Sequence, residues 1–164
     1  MRERTVYLTD SDLIFNRYLT EAFENLNVIY PNSYSDHVVS DYVIINNDSG
    51  LKDKSLNARF CFVNMDNKVK GDIRVSGTLV TYGIGIKNTV TVSSIEENNF
   101  VYCLQSYIYI NNEETIEPQE IPINIEIHND THLYALLVSI TIALIEGMNG
   151  KEIEKKLSKK YLSI

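Results

Sequence analysis

The stretch from Leu133 to Ile145 is apolar at almost every position, with Ser139 and Thr141 as its polar exceptions. A helix that is apolar on every side must be covered by other elements on most sides. The stretch is shorter than the roughly 20 residues needed to cross a bilayer, so it predicts a core helix and no membrane association. A chain of 164 residues, 44% of them hydrophobic, can bury such a helix in one compact domain, residues 1–164.

The charge balance restricts the partners of this chain. It carries 22 acidic and 15 basic residues, for a net charge of −7. Because phosphates are repelled by a negative surface, we expect no nucleic acid and no anionic membrane as the main partner; the acidity also serves solubility. No hydrophobic signal segment follows Met1, and Cys61 and Cys103 have neither metal-ligand nor redox spacing. These features predict a cytoplasmic protein with reduced thiols.

The first half of the chain alternates short apolar runs with one helical pattern. Leu13 to Leu26 has apolar residues at helical spacing and is preceded by residues that cap helices well. Short runs with polar ends are typical of buried parallel strands. The predicted strands are Thr5–Thr9, Asn27–Ile29 (ended by Tyr-Pro-Asn-Ser), Asp41–Asn46, Arg59–Asn64 and Leu79–Tyr82. This half is therefore predicted to form a small, mostly parallel, Rossmann-like sheet.

The second half predicts an antiparallel meander and two helices. Its three strands are predicted at Thr89–Ile95, Phe100–Ile110 and Ile121–Ile127, the last with strict alternation and an edge position because of Pro122. The helices are Leu133–Ile145 and the amphipathic Gly150–Leu162. The predicted fold class is α/β: a parallel sheet, then a three-stranded antiparallel meander, then two C-terminal helices.

The segment Gly147-Met-Asn-Gly-Lys151 has some of the residues of a phosphate-binding loop. Such a loop follows a strand, has its two glycines five positions apart, and places Ser or Thr after the lysine. Here a helix comes first, the glycines are three apart, and Glu152 follows the lysine. We therefore interpret the segment as a helix–helix corner, with Gly147 ending one helix and Asn149 capping the next.

A succession of motifs in the last half of the chain resembles the central domain of the Mur ligases, ATP-dependent enzymes that add amino acids to peptidoglycan precursors. The matching pieces are VTYGIG (residues 80–85), VTVSSI (90–95), IEIHNDTHLYALLVSITIALIEG (125–147) and KEIEKKL (151–157). They correspond in order to a Thr-Tyr-Gly strand end, a small antiparallel sheet, a Gly-x-His-Asn-x-x-Asn helix start, and a final helix. Glu126 and His132 replace the first glycine and the last asparagine of that helix-start motif.

The same resemblance implies that the nucleotide chemistry is missing from the first half. In the Mur ligases the first strand ends in Thr-Gly-Thr-Asn-Gly-Lys-Thr-Thr. Overlaid on this loop, Thr9 matches the first threonine, but Asp10 and Leu13 replace the glycines, Ile14 the lysine, and Phe15 the magnesium-binding hydroxyl. The family's metal-binding glutamate and histidine, its modified lysine and its flanking domains have no counterpart here. The resemblance therefore implies that neither ATP nor magnesium is a cofactor.

The candidate cofactor-binding residues by resemblance are His128, Asn129 and His132, because this neighbourhood lies beside the adenine ring in the family. The alternative is structural: Asn129 or Asp130 caps the buried helix, His128 makes a local hydrogen bond, and His132 is a structural or surface residue. No catalytic residue and no metal ligand is predicted.

Two other groups have open interpretations. Asp10, Ser11 and Asp12 either bind a cation or cap the first helix, and His37 is isolated in a loop-like region. Tyr102, Tyr107 and Tyr109 are predicted in one strand, the last two on one face. They form either half-buried core or an aromatic patch for a protein partner or for self-association.

Three functional hypotheses follow from the sequence. The favoured one is a shortened, catalytically inactive Mur-ligase-like domain that acts by binding a partner or itself. The second is an ATP-dependent ligase component in peptidoglycan synthesis, completed by another subunit. The third is a small-molecule sensor that uses the former nucleotide cleft. Whether the chain is an enzyme stays open at this point, with the lost phosphate loop favouring a binding role.

Overall fold

The computed structural model describes residues 2–8, 12–32, 40–47, 55–67 and 74–158. Its helices are α1 (Leu13–Leu26), α2 (Asp130–Ile145) and α3 (Gly150–Ser158). Its strands are β1 (Arg2–Leu8), β2 (Ile29–Asn32), β3 (Ser40–Ile45), β4 (Ser55–Asn64), β5 (Arg74–Tyr82), β6 (Val90–Ile95), β7 (Phe100–Leu104), β8 (Ile108–Tyr109), β9 (Thr115–Ile116) and β10 (Gln119–Ile123).

Within these ranges eight strands form one sheet in the order β10-β7-β6-β5-β4-β3-β1-β2. The pairs from β2 to β6 are parallel, and β6, β7 and β10 pair antiparallel. The parallel and antiparallel parts meet in a single residue pair, Tyr82 with Val90. The remaining two strands, β8 and β9, form a separate small hairpin between β7 and β10. The α/β fold class with its antiparallel meander is confirmed.

The three helices pack on one face of the sheet in one hydrophobic core. Phe15, Leu19 and Phe23 face inward from α1 at helical spacing, as the sequence pattern predicts. Alternate residues of the parallel strands, such as Tyr42 and Ile44, meet them from the sheet. The residues between these point to the other face, where Val43, Ile45, Ala58 and Cys61 form a smaller apolar cluster.

Helix α2 is buried on every side from Leu133 to Ile145. Its two polar side chains are hydrogen-bonded, as buried polar groups must be. The hydroxyl of Ser139 bonds to the carbonyl of Leu136, and that of Thr141 to the carbonyl of Leu137. Thr141 also bonds at 2.7 Å to the hydroxyl of Tyr102 in β7. The helix is thus the centre of the core, and no helix among the described residues is long and apolar enough to span a membrane.

The predicted second strand, Asn27–Ile29, is wrong in its first two residues. Asn27 has a φ of 52° and caps α1, with its N–H donating to the carbonyl of Phe23 at 2.9 Å. Asparagine tolerates this left-handed conformation better than most residues. The strand begins at Ile29 and continues through Pro31. The sequence pattern instead predicts that the strand ends before this proline. Proline is accepted there because β2 is the edge strand of the sheet.

Two predicted strands of the second half are also wrong in part. Phe100–Ile110 divides into β7 and β8 because the chain leaves β7 at Gln105, whose side chain donates to the carbonyls of Ile86 and Asn88. In the predicted strand Ile121–Ile127 only the first three residues belong to the sheet. Ile125 lies after the end of β10 and is only 6% exposed. The apolar residue is therefore explained by burial in the core and not by pairing in the sheet.

The glycine-lysine segment forms the corner between α2 and α3, as predicted. Gly147 has a φ of 101°, which favours glycine at the end of a helix. The Asn149 side chain then caps α3 by accepting a hydrogen bond from the N–H of Glu152 at 2.9 Å. The predicted helix Gly150–Leu162 is observed as far as Ser158, and its remaining residues lie outside the described ranges.

Candidate functional site

Polar side chains lie where the parallel strands β3, β4 and β5 reach their carboxyl ends. Asn46 and Asn64 each follow or end an apolar strand, and both are buried. The Asn46 Oδ1 accepts hydrogen bonds from the Asn64 Nδ2 at 3.0 Å and from the Tyr82 hydroxyl at 2.8 Å. In open α/β sheets this edge is where ligands bind. The three side chains form its buried floor.

Asp66 connects this edge of the sheet to α2. Its Oδ2 accepts hydrogen bonds from the N–H of Ile84, in the loop after β5, and from the Tyr134 hydroxyl, both at 2.8 Å. Burial, the hydrogen bond to Asp66 and the charge of Asp66 all raise the pKa of Tyr134, which therefore stays a neutral donor. Gly83 lies against the same carboxylate, since a Cβ placed there would be 2.6 Å from Asp66 Oδ1.

His128, Asn129 and His132 lie together at the start of α2, beside Tyr18 of α1. Asn129 is the N-cap, and its Oδ1 accepts from the N–H of His132 at 2.8 Å. The rings of Tyr18 and His132 stack at 4.4 Å, and those of His132 and His128 at 4.9 Å. The N–H of His128 donates to the Nδ1 of His132. The structural alternative for these residues is therefore present in the fold, while their role in cofactor binding stays a prediction.

Protonation of His132 should lower the stability of the protein in weak acid. Burial, and secondly the charge of His128, lowers its pKa from 6.5 to about 4. The fold therefore favours neutral His132. The stability that depends on the neutral ring is fully present above pH 6.5 and is lost as the pH falls toward 4. Because the ring is partly exposed, we expect His132→Gln to reduce the stability lost between pH 7 and pH 5 by only about 1 kcal/mol. Urea unfolding of both proteins at the two pH values measures this, and equal losses would contradict it.

The start of α1 lies at the same edge of the sheet, after β1. Asp12 is its N-cap, and one carboxylate oxygen accepts hydrogen bonds from the N–H groups of Ile14 and Phe15 at 2.9 and 3.2 Å. Asp12 is thus a capping residue. Thr9, Asp10, Ser11 and His37 lie outside the described residues.

The sequence predicts the histidine-asparagine group but not the network of Asn46, Asn64, Asp66 and Tyr134. The available signal was an asparagine at the end of each of two neighbouring apolar runs, Asp41–Asn46 and Arg59–Asn64. Among the described residues, no group of three His, Cys, Asp or Glu side chains is arranged to hold a metal ion.

This strand order, with polar side chains at the carboxyl edge and α2 beginning beside them, defines an α/β fold that is similar to solved structures of Mur ligases. A crystal structure of MurF from Acinetobacter baumannii matches with a TM-score of 0.50 and 10% identity over 96% of this chain and 46% of that one. A structure of UDP-N-acetylmuramoylalanyl-D-glutamyl-2,6-diaminopimelate--D-alanyl-D-alanyl ligase from the same organism matches with a TM-score of 0.48 and 10% identity over 97% of this chain and 46% of that one.

The chain therefore spans just under half the length of these proteins. No family model and no curated protein sequence matches it. At 10% identity the likeness shows the fold alone.

Proposed function

We propose that this chain is a Mur-ligase-like domain that no longer uses ATP and that acts in the cytoplasm by binding another protein. The observation that carries the proposal is the Asp12 carboxylate at the start of α1. In phosphate-binding folds this position, at the end of the first strand, receives the phosphate.

The Asp12 carboxylate occupies the hydrogen-bond donors that a phosphate would use. Anions bind at helix starts because the first N–H groups have no partner within the helix. Here the N–H groups of Ile14 and Phe15 already donate to Asp12. A phosphate would have to displace this carboxylate or approach its negative charge. A hydrogen bond to a charged group contributes about 1.5–3 kcal/mol, so losing two of them removes much of the affinity for a nucleotide.

Within the described ranges, the side chains at the start of α1 offer no replacement for the lost contacts. Leu13 and Ile14, which the overlay sets at a glycine and at the lysine of the phosphate loop, are exposed apolar residues, 80% and 61% accessible. Phe15, at the position of the magnesium-binding hydroxyl, is fully buried in the core. On the opposite side of the edge, Asp66 is engaged by Ile84 and Tyr134. These positions favour a structural role for the former nucleotide edge.

Magnesium-ATP should therefore leave the melting temperature unchanged to within about 1 °C. A site occupied at 100 times its Kd would add about 2.7 kcal/mol, which in a domain of this size raises the Tm by roughly 5–10 °C. Thermal unfolding with and without millimolar ATP, ADP and GTP, each with magnesium, tests this. A magnesium-dependent rise of several degrees would contradict the proposal.

If the melting temperature does rise with a nucleotide, two cap variants identify where it binds. Asn129→Ala and Asn149→Ala each remove one helix cap, which costs about 1 kcal/mol on its own. Asn129 lies at the former adenine side, whereas Asn149 caps α3 at the corner after α2. A rise with ATP that disappears only in Asn129→Ala would favour the ligase hypothesis. A rise with a ligand that lacks phosphate would favour a sensor.

A further inference from the structure

The charges of this chain are divided very unevenly. Of its 22 acidic residues, nine lie between Asn88 and Gly150, and all 15 lysines and arginines lie outside that segment. The segment contains the antiparallel strands and α2. The rest of the chain carries a small net positive charge, so the net negative charge of the protein comes from this segment. Such asymmetry indicates a surface for a partner of opposite charge.

Within this segment the hairpin of β8 and β9, residues 107–117, has one apolar and one polar face; we refer to it as the acidic hairpin. Ile108 is buried, and Ile110 and Ile116 pack against the main core. Tyr107 and Tyr109 point to the other face and are 53% and 64% exposed. The prediction that they share a face is thus confirmed, although neither lies in the strand of Tyr102.

The same hairpin carries three glutamates. Tyr109 pairs with Thr115 and Ile108 with Ile116, so the next residue in the same register, Glu117, lies opposite Tyr107. Glu113 and Glu114 follow in the turn, and all three glutamates are exposed. Arg4 forms ion pairs with Asp41 and Glu146, away from this hairpin, and no described lysine or arginine pairs with the three glutamates. Its three negative charges are therefore not neutralised by such a pair.

Hydrogen bonds in the turn of the acidic hairpin order the backbone of Glu113 and Glu114. The side-chain oxygen of Asn111 accepts hydrogen bonds from the N–H groups of Glu113 and Glu114 at 2.8 and 2.9 Å. The N–H of Ile110 donates to the carbonyl of Glu114 at 3.0 Å. A surface whose backbone is already ordered loses little conformational entropy when a partner binds.

We propose that the acidic hairpin binds an arginine-rich segment of another protein. A guanidinium group can stack on a tyrosine ring and pair with a carboxylate at the same time. Tyr107 and Glu117, opposite each other by the register of the hairpin, supply both contacts. A second copy that presents the same hairpin is a poorer occupant, because both surfaces would be acidic. The inference rests on the proposed binding role and specifies the partner.

The experiment uses a fluorescein-labelled peptide of ten alternating arginine and glycine residues, titrated with the full chain and followed by fluorescence anisotropy. Glu113→Gln/Glu114→Gln/Glu117→Gln should weaken binding about tenfold, and Tyr107→Ser/Tyr109→Ser about fivefold. The control is Glu24→Gln/Glu96→Gln/Glu97→Gln, which removes three exposed charges elsewhere and should change the affinity less than about twofold. A lysine-glycine peptide should bind more weakly, since an ammonium group lacks the planar stacking surface.

Three results would overturn the proposal. Equal weakening by both glutamine triples would mean that binding follows net charge alone. Undetectable peptide binding to the wild-type chain, with its melting temperature intact, would exclude an arginine-rich partner while leaving the nucleotide experiment unaffected. A dimer in sedimentation velocity that Tyr107→Ser/Tyr109→Ser dissociates would assign the hairpin to a second copy.

Discussion

Replacing Arg4 with methionine should lower the free energy of unfolding by about 3 kcal/mol. The Nε of Arg4 in β1 donates to Glu146 at the end of α2, and the Glu146 side chain is 5% exposed. Removing the arginine leaves a buried carboxylate without its cation, which costs far more than losing an ion pair in water. Urea unfolding at pH 7 measures the difference.

Two further variants distinguish the buried charge from simple loss of packing. Arg4→Met/Glu146→Leu should recover most of the lost stability, because neither charge then remains in the interior. Arg17→Met removes an exposed arginine from α1 and should change stability by less than about 0.5 kcal/mol. If Arg4→Met costs no more than Arg17→Met, the ion pair contributes little and the expectation is wrong.

Gly83→Ala should cost about 2–4 kcal/mol. Gly83 has a φ of 154°, and its added Cβ would lie 2.6 Å from Oδ1 and 2.8 Å from Cγ of Asp66. The carboxylate cannot move away freely, because Ile84 and Tyr134 both donate to its Oδ2. The substitution therefore adds backbone strain and disrupts the link between the sheet edge and α2.

Gly85→Ala is the matched control in the same loop. Its added Cβ would meet Asn88 Nδ2 at 3.5 Å and Asp66 Oδ1 at 3.9 Å, which are ordinary contacts. We expect a change of less than about 1 kcal/mol. Thermal and urea unfolding of the two variants side by side test the pair, and equal losses would show that loop flexibility, and not the approach to Asp66, determines the cost.

Local sequence patterns predict those helices and strands that are determined by neighbouring residues. Helix α1 was predicted with its observed bounds because Asp12 caps it and its apolar residues follow one face. The beginnings of β4 and β5, residues 55–58 and 74–78, were missed because they contain polar and small residues. These segments are strands because they pair with each other across a register shift, which no local pattern contains.

The candidate site divides in the same way. The cap at Asn129 depends on residues three positions apart, and the sequence predicts it as one of two alternatives for this residue. The hydrogen bonds that Ile84 and Tyr134 donate to Asp66 join residues 18 and 68 positions apart, and they exist only because β4, β5 and α2 come together. A single sequence specifies such contacts through the whole fold, so they could not be predicted from motifs.

The pair of Tyr82 and Val90 is the single point of strand pairing between the parallel strands, here called the inner module, and the antiparallel strands, the outer module. Beyond Val90 the antiparallel strands take their register from one another, so a longer or shorter turn at residues 96–99 leaves the alignment of β3, β4 and β5 unchanged. The outer module can therefore diversify in length and surface chemistry while the buried asparagines of the inner one keep their positions.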